Sequence, residues 1–347
     1  MTASEEKPSE EDGTEPGLPG HPPRVLYIGG GTKSGSTLLD LMLGQVPSFF
    51  SVGELRQIWQ RGLVENSRCG CKERFFDCPF WTAVGAEAFG GWGNVDVQEV
   101  LALRNSLDTV SSLRALKADS SDPSGDERIE RYVRILDPLL RAIGHVSGAG
   151  VIVDSSKTPS HALLLRKVPG MDLRLVHLVR DSRGVVYSWR RSTRGKERRR
   201  KLRSLRTRLG MSAAASMRWL SYNARIPSLG ALGVPYHLVR YEDLVREPRA
   251  NLQRVLDHAG SPAEGFSLPF LRNGGVLLGP NHTVYGNRLR FSSGELALRV
   301  DDEWLQKMPG LSRAWVTAMT FPLLRRYGYA LRPRKAPAIP APDTAAR

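Results

Sequence analysis

The chain has 347 residues, 41% of them hydrophobic, and 50 Lys and Arg against 35 Asp and Glu give it a net charge of +15. That is enough apolar material to bury a full α/β core, which excludes a wholly disordered or fibrous chain, and three cysteines are too few for a disulfide framework and fit a reducing compartment. No apolar run reaches membrane-spanning length and the N-terminus lacks a basic-then-apolar leader, so a cytoplasmic location is expected; the basic balance favours phosphorylated ligands, nucleic acid or anionic lipid without choosing among them.

Residues 1–22 are rich in Pro, Gly, Ser and Glu, and predict a disordered acidic tail before a folded unit over 23–332. Residues 25–28, Val-Leu-Tyr-Ile, are apolar strand formers that stop at Gly29-Gly30-Gly31. Beyond Thr32-Lys33-Ser34-Gly35-Ser36-Thr37, the leucines and methionine at 38, 39, 41 and 42 fall at helical spacing, with Ser36 or Thr37 opening the helix. Strand, glycine-rich loop and helix form an anion cradle, because backbone N–H groups and the positive helix end converge on one spot. A Walker A loop would put lysine directly after the last glycine, but Ser36 stands there and the lysine is Lys33. A magnesium-ATP kinase therefore becomes the alternative reading, with Asp154 as its only candidate metal carboxylate.

A second strand is predicted at 49–52, running into a helix start at 53–59 that puts Glu54 at a strand's carboxyl end, where ligands gather in open α/β sheets. Cys69, Cys71 and Cys78 are spaced like a metal knuckle, but no fourth Cys or nearby His stands beside them, so they read as structural thiols in a loop pinned by Phe75, Phe80 and Trp81. Helices follow over 97–116 and 128–145, with a polar break at 119–126, as an inserted subdomain.

Residues 150–153 form another short strand, which delivers Asp154-Ser155-Ser156-Lys157 to its end; Thr158-Pro159 then starts a helix. The strand 172–179 ends in Arg180-Asp181-Ser182-Arg183, and 184–189 turns into a helix. Residues 190–208 hold eleven basic residues against the single acid Glu197. Further on come a helix at 211–226, a strand at 234–240 followed by Tyr241-Glu242-Asp243-Leu244, a helix at 249–259, a polar loop at 279–291, a helix at 301–327 and a Pro/Ala tail at 333–347. Alternating strands and helices predict a single α/β domain with a mainly parallel central sheet flanked by helices, carrying helical insertions.

The stretch Arg180 to Ser188, RDSRGVVYS, together with GTKSGSTLL around Lys33, resembles the two nucleotide motifs of sulfotransferases that use 3′-phosphoadenosine-5′-phosphosulfate (PAPS), and looks closest to the bacterial type. The resemblance spans residues 24–332 and extends to DSSK and YEDL. It implies a P-loop-kinase-like nucleotide core in which Thr32, Lys33, Ser34, Gly35, Ser36 and Thr37 cradle the 5′-phosphosulfate and Arg180 and Ser188 grip the 3′-phosphate. Gly286-Asn287-x-x-Arg290 is similar to the late loop that closes over the nucleotide, which would bring Arg290 to the same phosphate. Lys33 and Lys157 would then meet the charge of the transferring group, no metal being needed, with Glu54 as general base and His161 and Asp154 as other candidates. A hydroxyl or amine of a small-molecule, lipid or carbohydrate acceptor is expected, and Trp59, Trp81 and Trp92 are candidates for its pocket. The basic run could instead bind nucleic acid or an anionic surface, but it has no interleaved aromatics for stacking, so no nucleic-acid partner is expected.

Overall fold

Five parallel strands form the central sheet: β1 (Arg24–Gly30), β2 (Phe49–Gly53), β3 (Val151–Lys157), β4 (Leu173–Val179) and β5 (Tyr236–Arg240), in the order β2-β3-β1-β4-β5. The structure, a computed structural model, describes residues 23–109, 112–117, 126–197, 205–261, 267–272 and 274–332. The tails expected at 1–22 and 333–347, and residues 198–204 of the basic run, lie outside the described residues.

The middle strand, β1, has Val25, Leu26, Tyr27 and Ile28 all fully buried, as an apolar run covered on both sheet faces requires. Its alternation divides the core. Val25 and Tyr27 face a cluster with Trp59, Trp81, Leu140 and Leu165, while Leu26 and Ile28 face Leu39, Met42, Leu244 and Leu252. Helices at Ser36–Leu43, Pro159–Arg166, Ser182–Glu197 and Leu205–Arg225 make the crossovers, and the protein is a single α/β domain.

Several elements differ from the sequence reading. The stretch after β2 is a short 3₁₀ turn (Leu55–Gln57) and a π-helix (Ile58–Val64). The helix expected at 97–116 is two, Val97–Leu107 and Ser112–Lys117. The chain leaves the first at Asp108, whose carboxylate is held by Arg56 and Ser160. β3 runs four residues further than its apolar stretch suggests. Asp154 Oδ1 inside it accepts from the Ser156 N–H at 2.8 Å and the Ser156 hydroxyl at 2.5 Å, so the buried polar residues satisfy one another. The helix expected at 301–327 breaks at Met308-Pro309 into Trp304–Lys307 and Gly310–Arg326. A small antiparallel sheet, β6 (Leu271–Arg272), β7 (Gly275–Leu278) and β8 (Gly294–Ala297), was not anticipated; its strands are too short to show periodicity. No helix among the described residues is long and apolar enough to cross a membrane.

The strand order positions the site. β3 and β4 flank β1, and neighbouring strands lie about 4.8 Å apart. Whatever follows these three strands at their carboxyl ends is therefore brought within about 10 Å.

Candidate functional site

β1 ends in a glycine that nothing else could replace without strain: Gly30 has φ 145°, and a Cβ there would stand 2.4 Å from the Leu178 carbonyl of β4. The loop then turns through Lys33 at φ 65° into Gly35, φ 95°, which caps the helix Ser36–Leu43 with no side-chain acceptor. The positive helix end is thus left facing the crevice. Lys157, the last residue of β3, also has a left-handed backbone, φ 71°. Two cationic residues at neighbouring strand ends are held in a conformation that costs an L side chain about 1 kcal/mol or more.

A cavity of about 630 Å³ opens at this edge of the sheet, lined by Thr32, Lys33, Gly35, Ser36, Thr37, Glu54, Lys157, Arg180 and Ser188. Arg180 is buried. Its Nη2 lies 3.0 Å from Asp301 Oδ2, its Nη1 donates to the Lys33 carbonyl at 3.2 Å, and its guanidinium stacks 4.7 Å from the centre of the Tyr241 ring. Burial pushes the Tyr241 phenol up, with Arg180 opposing, so it stays neutral. Glu54 forms an ion pair with Lys157, both side chains mostly buried. Glu54 is held in place through its N–H, which donates to the Tyr285 carbonyl at 2.9 Å.

Some wall residues were not singled out from sequence. Arg191 follows Ser188 by three residues on the helix Ser182–Glu197, a spacing that shares a face, and it pairs with Asp301 at 3.4 Å. Tyr285 and Asp301 also line the cavity, as do Tyr241 and Asn287 from the YEDL and late-loop segments named in the sequence, and the Asn287 N–H donates to Thr37 Oγ1 at 3.3 Å. Lys33, Lys157, Arg180 and Arg191 against Glu54 and Asp301 leave the wall with two positive charges in excess.

Other sequence candidates lie elsewhere. Ser34 is buried and does not line the cavity. The Arg290 guanidinium is turned away: Nη1 donates to the carbonyls of Thr283 (2.8 Å) and Val284 (2.9 Å), and Nη2 to that of Arg68 (2.6 Å). His161 is buried with Nε2 3.1 Å from Asp154 Oδ2, and neither lines the cavity. Trp59 and Trp81 are core residues, and Trp92 Nε1 donates to the Trp81 carbonyl at 2.7 Å. One residue that sequence reasoning missed is His282, 204 positions beyond Cys78; its Nδ1 and the sulfurs of Cys69, Cys71 and Cys78 all lie within 4.8 Å of one another.

Solved structures similar to the chain include the sulfotransferase domain of an olefin synthase from Synechococcus PCC 7002 (19% identity, TM-score 0.47, 92% of this chain and 99% of that one). A sulfotransferase domain from the curacin biosynthetic pathway is similar at 17% identity and TM-score 0.45, over 87% of this chain and 98% of the other. Sulfotransferase STF9 from Mycobacterium avium is similar at 15% identity and TM-score 0.47, over 90% and 79% respectively. No curated protein sequence matches. A family model described as the sulfotransferase family matches residues 24–265, well over half of the 347, and spans every strand of the central sheet and the cationic pocket's loop, Lys157, Arg180 and Ser188; the chain belongs to the sulfotransferase family.

Proposed function

We propose that this protein transfers a sulfuryl group from PAPS to a hydroxyl or amine of an acceptor and releases adenosine 3′,5′-bisphosphate. The observation that carries the reading is the meeting of Lys33, Lys157 and Arg180, from three separate strand ends, around one cavity of nucleotide size. A doubly phosphorylated, sulfated nucleotide is the polyanion such a wall suits, and membership of the sulfotransferase family supports that choice.

In the proposed step the acceptor oxygen attacks sulfur, the bond from sulfur to the bridging oxygen breaks, and that electron pair leaves on the 5′-phosphate. Negative charge grows on the bridging oxygen and persists on the sulfuryl oxygens, so fixed cations lower the barrier. Lys33 and the N-terminus of the helix Ser36–Leu43 would meet the leaving phosphate, and Lys157 the sulfuryl oxygens. Glu54 would take the acceptor's proton, and its pairing with Lys157 holds base and cation at the same end of the cavity. Arg180 would form a fork on the 3′-phosphate, exchanging its contact with Asp301 for the ligand, with Ser188 as a hydroxyl donor. We extend no phosphate role to Arg290, whose donors are engaged elsewhere.

The test is transfer of labelled sulfate from PAPS to a panel of hydroxyl and amine acceptors. Lys33→Ala should lower turnover by at least about a hundredfold with the circular dichroism unchanged, as expected for removing a charge stabiliser of the transition state. Near-normal turnover in that variant would sink the assignment.

A further inference from the structure

The three cysteines and His282 make a second constellation, none of whose members lines the cationic cavity. Cys69, Cys71 and Cys78 sit on one tight loop. The Cys69 N–H donates to the Glu73 carbonyl at 2.8 Å, the Lys72 N–H to the Cys69 carbonyl at 2.9 Å, and Lys72 takes φ 78° to close the turn. Cys78 is the N-cap of the helix Pro79–Phe89, where the positive helix end favours a thiolate. His282 comes from the far end of the chain and is locked in place. Its ring stacks on Phe80 with centroids 5.3 Å apart, and its carbonyl accepts from Trp81 Nε1 at 2.9 Å.

The separations decide what this group is for. Cys78 Sγ is 3.6 Å from Cys69 Sγ and 3.7 Å from Cys71 Sγ, and His282 Nδ1 is 3.2 Å from Cys78 Sγ and 3.9 Å from Cys69 Sγ. A tetrahedral zinc site with Zn–S of about 2.3 Å and Zn–N of about 2.0–2.1 Å puts its sulfurs about 3.8 Å apart and sulfur and nitrogen about 3.5 Å apart. The two sulfur–sulfur distances, 3.6 and 3.7 Å, fall just short of the first value, and the two sulfur–nitrogen distances, 3.2 and 3.9 Å, lie on either side of the second. Thiols and an imidazole gathered this tightly, with Cys69 and Cys78 fully buried, have only weak S–H bonds to offer one another otherwise. We infer that Cys69, Cys71, Cys78 and His282 bind one zinc ion in a closed, four-coordinate structural site.

The site explains two features the nucleotide reading leaves over. Three thiolates and a neutral imidazole around a divalent cation carry one negative charge, and buried Arg290 lies next to it, donating to Arg68 on the cysteine loop and to Thr283 beside His282. Arg290 thus joins the two ligand-bearing segments and offsets their charge. Gly70 allows the same junction: a Cβ there would meet Asn281 Oδ1 at 1.8 Å, and its N–H donates to the Thr283 carbonyl at 3.0 Å. Past His282 the chain runs directly into Tyr285, Gly286 and Asn287 of the cavity wall, so the zinc ion fixes the base of that wall.

The experiment uses the full chain, purified reduced and without chelators. Elemental analysis should find one zinc per chain; after chelation, added cobalt(II) should give thiolate-to-metal charge-transfer absorption and the intense visible bands of a tetrahedral ion. Cys71→Ser, at the half-buried edge of the cluster, should lose most of the bound metal, and chelation of the unmodified chain should lower its melting temperature. A folded chain with three titratable thiols that takes up neither zinc nor cobalt would overturn the inference, as would a disulfide among the three found by mass. None of these readouts uses a nucleotide, so their outcome is independent of the sulfuryl-transfer reading.

Discussion

Arg180 is held in one geometry by its neighbours. Stacking on Tyr241 and pairing with Asp301 fix its fork, so in the proposed role a phosphate would replace the Asp301 carboxylate and order little new. Arg180→Ala should weaken adenosine 3′,5′-bisphosphate about ten- to a hundredfold, the range for a charged hydrogen-bonded pair; a dissociation constant equal to the wild type's contradicts the role. His177, on β4 three residues before Arg180, has a different consequence. It is buried on β4 with Nε2 2.9 Å from Asn223 Oδ1 and Nδ1 2.7 Å from the Tyr236 hydroxyl. Burial pushes its imidazole down to about 4, with the Arg326 charge adding to the effect and the Asn223 bond opposing it. An unfolded chain takes up that proton at about pH 6.5, so the neutral, buried His177 contributes its full stability above that pH. The contribution, up to about 3 kcal/mol, is lost as pH falls from about 6.5 towards 4. Urea midpoints measured at pH 7 and pH 5 should fall more steeply in the wild type than in His177→Gln; parallel slopes would refute this.

At the scale of elements, the junction of β1 with the helix Ser36–Leu43 is tightly constrained. Gly35 combines φ 95° with the Tyr241 ring 2.4 Å from where a Cβ would sit, and Tyr241 is the platform under Arg180. Gly35→Ala should cost about 1–3 kcal/mol of stability and should also weaken the nucleotide by displacing the Arg180 platform. Thermal melting with titration of adenosine 3′,5′-bisphosphate checks both, and an unchanged melting temperature would contradict the first. This junction was legible in the sequence because strand, glycines, lysine and helix are contiguous. The break at Asp108 was not, since Asp108 ends its helix through partners 52 residues away on either side, Arg56 and Ser160; the break at Met308-Pro309 does carry a local proline signal, which the reading of one helix over 301–327 passed over.

For the whole molecule, alternating strands and helices sufficed to anticipate a parallel α/β sheet, but not which strands are neighbours. The order β2-β3-β1-β4-β5 is set by crossovers that no local pattern encodes, and it alone makes Lys157 and Arg180 flank the Lys33 loop. The same non-local reach hid His282 from the cysteines and turned Arg290 towards the cysteine loop. The net charge of +15 adds a general attraction for anions that is screened over about 10 Å at 0.1 M salt, so it steers ligands but selects none. Selection falls to the geometry of the cavity. The most direct measurement is calorimetric titration of the protein with adenosine 3′,5′-bisphosphate in magnesium-free buffer beside ATP with magnesium. One bisphosphate should bind per chain, more tightly than ATP; preference for ATP with magnesium, or no binding of the bisphosphate, would contradict the account.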